Sequence, residues 1–305
     1  MNVDFFKSIY NDDIIYHYTK ASTAIDYIFF NQQLRFSKTL SSSDPIESKK
    51  ARRSTVYYGS EVGINQKRKH HKDINELHNM LCNLESQFNQ ICFCKNTLGS
   101  EFASEYYYSS FNGNEELFGF TKLRMWDQYA DRFTGICIAF SKEKIISLNK
   151  EKFNLIVNDI EYLSFQKLSE KKVGDIQGNY LNKVGKERYQ SELEKLLIKS
   201  FFCKHTDYSG ENELRVGTFF DYEKCYPEII RDEIILNQTM MLDITDCVRA
   251  IFVSSFANEK QKRDLLDYAN KLNVEIIEMR WKHDSFEPRD YKKWIEFVNN
   301  IQLNQ

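Results

Sequence analysis

The chain has 305 residues, 42% of them hydrophobic and 14% aromatic, which is ample for a packed core in one large domain or two small ones. Lysine plus arginine (42) nearly balances aspartate plus glutamate (44), so no global field draws the protein onto nucleic acid or an anionic membrane, and any such contact has to be local. No run approaches the roughly 18 uncharged apolar residues of a membrane span, and Met1-Asn2-Val3-Asp4 lacks a basic stretch followed by an apolar one, so a cytoplasmic protein with no membrane partner is expected.

Ile14 to Tyr18 is β-branched and aromatic and predicts a strand. Alternation sends His17 to the side opposite Tyr16 and Tyr18. If the tyrosines fill the core, His17 faces a cleft; the plainer reading is a strand histidine bonded to a neighbouring backbone group. Thr19 or Ser22 can cap a helix over 20–31, in which Ala21, Ala24, Ile25 and Ile28 share one face and which Asn31 can end. Leu34-Arg35-Phe36-Ser37 predicts a short strand.

Ser41-Ser42-Ser43-Asp44-Pro45-Ile46-Glu47 is a helix-start signature for a helix over 46–58, with Asp44 as N-cap, Pro45 at N1 and Glu47 in the first turn. Its backbone N–H donors could also receive a phosphate. The basic run Lys67-Arg68-Lys69-His70-His71-Lys72 reads as the solvated start of a helix over 70–89, or else as a contact for nucleic-acid phosphates. Cys92-Phe93-Cys94 sits on a strand over 91–95 with both sulfurs on one face. Zinc sites need a second pair of ligands, which does not follow, so the seven cysteines, an odd number, read as core thiols of a reducing compartment.

Further on, Leu123, Trp126 and Ala130 form an apolar stripe on a helix over 121–130, followed by a buried strand over 133–140; Tyr129 or Gln128 is left to border a cleft. A strand over 153–162 and a helix over 180–202 lead to Lys204, Tyr208 and Glu211-Asn212-Glu213-Leu214-Arg215-Val216. On a strand over 213–220, alternation puts Glu211, Glu213 and Arg215 on one face and Leu214 and Val216 in the core. Taken alone, that face is a solvated edge with a charge pair worth roughly 0–1 kcal/mol. Strands over 247–253 and 274–280 flank a helix over 258–272. Because strands and helices do not alternate strictly, the pattern is α+β in a single domain spanning 1–305, not a doubly wound parallel sheet. No GxGxxG, P-loop, HExxH or GxSxG sequence occurs.

Tyr16-His17-Tyr18-Thr19, Ser43 to Glu47, Trp126 to Ala130 with Gly135 to Phe140, and Lys204 with Glu211, Glu213 and Arg215 follow one another in an order that resembles the bacterial DUF2971 family. The resemblance spans about residues 14–280, around a helical insertion at about 46–90. That family is in turn similar to the ADP-ribosyltransferase fold, a split β-sandwich with surrounding helices in which NAD lies in a cleft between two small sheets. The resemblance therefore implies NAD as a substrate, no metal, and an acceptor that is a protein, a nucleic acid or water. Carried over by position, His17 holds ribose, with Tyr18 and Thr19 beside it. Phe36 or Ser37 lines the pocket together with Tyr129. Glu213, with Glu211 as its rival, stands at the reacting sugar, and Lys204, Arg215 or Arg35 pairs with the pyrophosphate.

Breaking the nicotinamide glycosidic bond develops oxocarbenium character, which is why a carboxylate near the ribose suits the chemistry. The implied activity is that of an ADP-ribosyltransferase or NAD glycohydrolase, with a role as toxin or antiviral effector following by analogy alone. Two other readings remain open: a non-catalytic nucleotide- or RNA-binding sensor on the same fold, and a metal-dependent nuclease built on Asp44, Glu47, Glu211 and Glu213. The aromatic content fits either a large core or a partner surface, so an oligomer is also open.

Overall fold

In the computed structural model, described over residues 3–39, 56–57, 79–97, 117–170, 176–177, 185–220, 240–282 and 285–303, the strand Ile136–Ser141 is buried along its whole length. Its alternation divides the core, with Ile136, Ile138 and Phe140 entering one hydrophobic cluster and Cys137 and Ala139 another. A continuous apolar run of this kind is what a sheet covered on both faces requires.

In chain order the strands are β1 (Ile14–Thr19), β2 (Gln33–Arg35), β3 (Ser37–Lys38), β4 (Val56–Tyr57), β5 (Phe88–Lys95), β6 (Ile136–Ser141), β7 (Ile156–Asp159), β8 (Glu161–Leu163), β9 (Ile176–Gln177), β10 (Cys203–His205), β11 (Glu213–Phe219), β12 (Met241–Asp243), β13 (Val248–Ser254), β14 (Glu275–Lys282) and β15 (Ser285–Asp290). Nine of them form one mixed sheet in the order β15-β14-β13-β6-β1-β5-β11-β7, with β3 added beside β5. Its single parallel pair is β13 with β14, joined by the helix Glu259–Leu272, and the remaining pairs are antiparallel. This mixed α/β architecture agrees with the absence of strict alternation in the sequence.

One face is covered by Ala21, Ala24, Ile28 and Phe29 and by Leu265 and Ala269 of the helix Glu259–Leu272. The other is covered by Phe6 and Ile9 of the helix Val3–Ile9, together with Phe118, Phe120 and Trp126. A third cluster packs the helix Lys186–Phe201 on β5, where the rings of Phe88 and Phe201 stack 4.2 Å apart. Gly217 is needed there, since a Cβ would lie 2.4 Å from the Phe88 ring.

Several local expectations change. The segment expected as a helix over 20–31 begins as an α-turn, Ala21–Thr23, and widens into a π-helix, Ala24–Phe29. Lys20 occupies its N-cap without a side-chain bond, so neither Thr19 nor Ser22 caps it; Thr19 closes β1 instead. The left-handed residue that turns the chain is Gln32 (φ 51°), while Asn31 donates from its side chain to the Tyr27 carbonyl at 2.9 Å. The strand expected over 34–37 breaks at Phe36, which enters the core, and that over 153–162 breaks at Ile160. Within the expected helix 46–58, residues Val56–Tyr57 are a strand paired with Ile176–Gln177. Residues 79–87 are helical, but 88–90 already belong to β5. Asp44, Glu47 and the basic run 67–72 lie outside the described residues.

The feature that positions the site is a weak seam. β1 pairs with β6 at six positions but with β5 at only two, Ile15 with Lys95 and Tyr16 with Cys94. Where two small sheets were expected, the pairing holds both halves in one sheet by this two-residue junction, beyond which β1 and β5 are unpaired. No helix among the described residues is long and apolar enough to cross a membrane.

Candidate functional site

A cavity of about 300 Å³ opens at the seam. It is lined by three consecutive residues of β1, Tyr16 to Tyr18, and by consecutive residues of β5 from Gln90 to Cys94. Consecutive residues point to opposite faces of a sheet. The cavity therefore lies within the sheet, between the parted strands.

On β1 the tyrosines are anchored in the second core: the Tyr16 hydroxyl donates to the Ile9 carbonyl at 3.1 Å and that of Tyr18 to the Gly119 carbonyl at 2.7 Å. Gly119 is required, because a Cβ there would stand 2.3 Å from the Tyr16 ring. His17 projects the other way, with Nδ1 3.1 Å from the Cys92 carbonyl. A carbonyl can only accept, so Nδ1 carries the proton. Burial lowers the pKa of His17 against the smaller opposing effect of that bond, which leaves the ring neutral and Nε2 as a hydrogen-bond acceptor.

The acidic end is built by three elements. β11 supplies Glu213 and Arg215, β10 supplies Lys204, and the 3₁₀ turn Thr206–Glu211 supplies Glu211. Asn212 is left-handed (φ 44°), so Glu211 leaves the strand path and is not on the strand face expected for it. The two carboxylates converge on one ammonium: Lys204 Nζ lies 2.7 Å from Glu211 Oε2 and 2.6 Å from Glu213 Oε2. Arg215 donates through Nε to Glu213 Oε1 at 2.5 Å and through Nη1 to the Phe201 carbonyl at 2.6 Å. The face expected to be solvated is buried: Lys204, Glu211, Glu213 and Arg215 are 4%, 1%, 3% and 0% exposed.

Burial opposes ionisation of Glu213, but Arg215 and Lys204 outweigh it and lower its pKa to about 2. For Glu211, burial and the neighbouring Glu213 prevail over Lys204 and raise the carboxyl above its ordinary value. Two carboxyls that share one cation are thereby driven apart in acidity. Burial and Glu211 also push the Tyr129 phenol up, so it stays protonated at the cavity wall.

The opposite end carries the exposed side chains of Arg35 and Lys38, flanking Ser37, which pairs with Gln90. At the other end of the same β5 face, Cys94 pairs with Glu213. Four residues of strand separate these ends by about 13 Å. The end at Ser37 is thus cationic, and the end at Cys94 holds two carboxylates with the Lys204 ammonium between them.

Of the residues anticipated from the sequence, His17, Tyr18, Arg35, Ser37, Tyr129, Lys204, Glu211 and Glu213 line the cavity. Three are elsewhere. Thr19 ends β1 without lining it, and Phe36 is 3% exposed within the core, which leaves Ser37 as the wall residue. Arg215 stands behind Glu213, fully buried, with its guanidinium bonded to that carboxylate, to Phe201 and to Gln90, and it does not line the cavity. Gln90, Cys92 and Met125 line the cavity without having been anticipated. Cys92, expected in the core with Cys94, is exposed, as is Cys82, while Cys94, Cys137, Cys203 and Cys247 are buried. Alternation with Phe93 was the one signal for Cys92, and it could not say which face was open.

Comparison with curated proteins and with solved structures finds no match. The Tyr16–Thr19 strand segment and residues 43–47 lie outside the span of the family match. Over residues 125–216, which carry Met125, Tyr129, Lys204 and both glutamates of the cavity, the chain is similar to the family described as "Protein of unknown function (DUF2971)".

Proposed function

We propose that this protein binds NAD in the seam cavity and breaks its nicotinamide glycosidic bond, as an ADP-ribosyltransferase or NAD glycohydrolase, the two halves of its one sheet standing where the ADP-ribosyltransferase fold has two small sheets. The observation that carries the reading is the placement of phosphate-suited and sugar-suited groups at opposite ends of the cavity. NAD has an anionic pyrophosphate and a cationic nicotinamide riboside, and the cavity has Arg35 and Lys38 at one end and Glu211 and Glu213 at the other.

In the reaction, the bond between the nicotinamide nitrogen and C1′ breaks and its electron pair leaves with neutral nicotinamide. Positive charge then develops on the ribose, where a carboxylate in a water-poor setting gains interaction as the barrier is climbed. The acceptor, whether protein, nucleic acid or water, adds at C1′ and loses a proton. His17 Nε2 accepts a hydrogen bond from a sugar hydroxyl and orients the ring. Lys204 fixes the carboxylates at 2.6–2.7 Å.

One observation favours a binding-only site on the same fold, namely a sensor for a nucleotide or RNA. Lys204 and Arg215 together neutralise Glu211 and Glu213, which leaves no net charge in the cluster to stabilise a cation. The deciding experiment is incubation of the purified protein with NAD, with nicotinamide release quantified beside His17→Ala and Glu213→Ala. Release that requires both residues upholds the glycosidic-bond reading. Stoichiometric NAD binding without release would replace it with the sensor, and absence of both would move the substrate outside the NAD class.

A further inference from the structure

The four carboxylate oxygens of the Glu211–Glu213 pair are not equivalent. Glu213 Oε1 accepts from Arg215 Nε at 2.5 Å, and Glu213 Oε2 accepts from Arg215 Nη2 at 3.4 Å and forms an ion pair with Lys204 Nζ at 2.6 Å. Glu211 Oε2 accepts from Lys204 at 2.7 Å. Glu211 Oε1 is buried and has no hydrogen-bond partner among the described residues, in a residue that is 1% exposed and lines the cavity. A buried polar atom left unsatisfied costs about 1–3 kcal/mol, and a folded chain tolerates it where something outside the chain completes it.

Local geometry shows how the difference arises. Glu213 is the first residue of β11, with its backbone N–H bonded to the Tyr162 hydroxyl at 2.8 Å, and its side chain is held from both sides by cations. Glu211 ends a 3₁₀ turn, and the left-handed Asn212 swings it out of the strand, so Lys204 reaches one of its oxygens and no described residue bonds the other. The Asn212 side chain is engaged elsewhere, donating to the Lys95 and Asn96 carbonyls at 3.2 and 2.9 Å. These bonds pin the left-handed residue and with it the direction of Glu211.

We infer that Glu211 is the carboxyl that touches the ligand, its Oε1 receiving a hydroxyl or N–H donor of the sugar end, and that Glu213 is a positioning residue that holds Lys204 and, through it, Glu211. This division of labour rests on the NAD reading for the identity of the ligand, but the unpaired oxygen it starts from is defined by the protein's own side chains. It reverses the order of the two glutamates implied by the resemblance, in which Glu213 leads.

The test compares wild type, Glu211→Gln and Glu213→Gln by thermal unfolding without ligand, by the shift in unfolding temperature that NAD produces, and by nicotinamide release. Glutamine at 211 can keep its bond to Lys204 through the amide oxygen while turning the vacant acceptor into a donor. The expected result is that Glu211→Gln unfolds at or above the wild-type temperature, loses the NAD-induced shift, and releases nicotinamide about a hundredfold more slowly. Glu213→Gln is expected to unfold well below wild type. A Glu211→Gln protein with wild-type NAD shift and turnover would overturn the inference, as would one destabilised as much as Glu213→Gln. If wild type neither binds nor cleaves NAD, the NAD reading fails by itself, and the ligand-free comparison decides the vacancy: an unchanged or raised unfolding temperature for Glu211→Gln sustains it, and a drop equal to that of Glu213→Gln ends it.

Discussion

His17 Nδ1 lies 3.1 Å from the carbonyl of Cys92, so an imidazole stands at the point where the ladder between β1 and β5 stops. The side chain bridges two strands that no longer pair and holds them at the spacing that makes the cavity. Its role is thus both to brace the seam and to present Nε2 to a ligand, and the two can be separated.

Replacing His17 by Asn is expected to retain a bond to Cys92 but lose the ring acceptor. NAD binding should weaken about tenfold, the ordinary effect of a hydrogen bond worth roughly 1.4 kcal/mol. Calorimetric titration with NAD checks this. The pH dependence has a definite sign. Burial lowers the folded pKa of His17 below 6.5, so as pH falls from that value the unfolded chain takes up a proton that the folded protein refuses. Stability contributed by the neutral ring is therefore present above pH 6.5 and is lost below it, and His17→Asn should flatten that part of the curve of unfolding temperature against pH.

Glu213→Gln should cost about 3–5 kcal/mol, because it leaves Lys204 and Arg215, both almost fully buried, short of a counter-charge. Urea unfolding at neutral pH measures it. The folded pKa of Glu213 is about 2 against an ordinary 4.5, so its contribution is fully present above pH 4.5 and disappears as pH falls from there toward 2. Glu211 acts in the opposite sense and at higher pH: its folded pKa is raised, so the folded protein is favoured by protonation and loses stability as pH rises above the ordinary 4.5. Acid titration of the unfolding free energy should be steeper in wild type than in Glu213→Gln over pH 2–4.5.

Gly119→Ala would put a Cβ 2.3 Å from the Tyr16 ring, which is itself 0% exposed. Overpacking of this kind costs about 1–3 kcal/mol. Because Tyr16 adjoins His17 at the seam, NAD binding should weaken along with stability, whereas Gly217→Ala, a comparable clash against Phe88 under the helix Lys186–Phe201, should destabilise while altering binding less. Paired measurements of unfolding temperature and NAD affinity on both variants separate the two cases.

Arg35→Glu reverses a charge at the open end of the cavity on an exposed side chain, so stability should change by no more than about 0.5 kcal/mol. NAD binding should weaken about tenfold or more at low salt, and the difference from wild type should shrink at high salt as screening removes the attraction. Calorimetric titration at two ionic strengths reads both effects.

The sequence by itself determined the strands that frame the site and the facing of their side chains. Alternation in Ile14 to Thr19 set His17 opposite Tyr16 and Tyr18, and alternation in Ile136–Ser141 divided the two cores, because side-chain direction in a strand is a local property of the backbone; that the tyrosine side is core came from the packing. The chain also carried the residues of the acidic end in legible form as Lys204, Glu211, Glu213 and Arg215. What local pattern could not carry was their environment. A strand segment with three charges looks solvated until Phe201 and the helix before it cover the far side. The left-handed Asn212 that removes Glu211 from the strand is supported by carbonyls more than a hundred residues earlier in the chain. The seam between β1 and β5 is likewise a fact of pairing between segments that the sequence lists separately. Only the tertiary structure decided that Arg215 is buried support, that Phe36 is core and Ser37 wall, and that one carboxylate oxygen of Glu211 is left vacant, because each depends on which distant backbone or side chain arrives beside it.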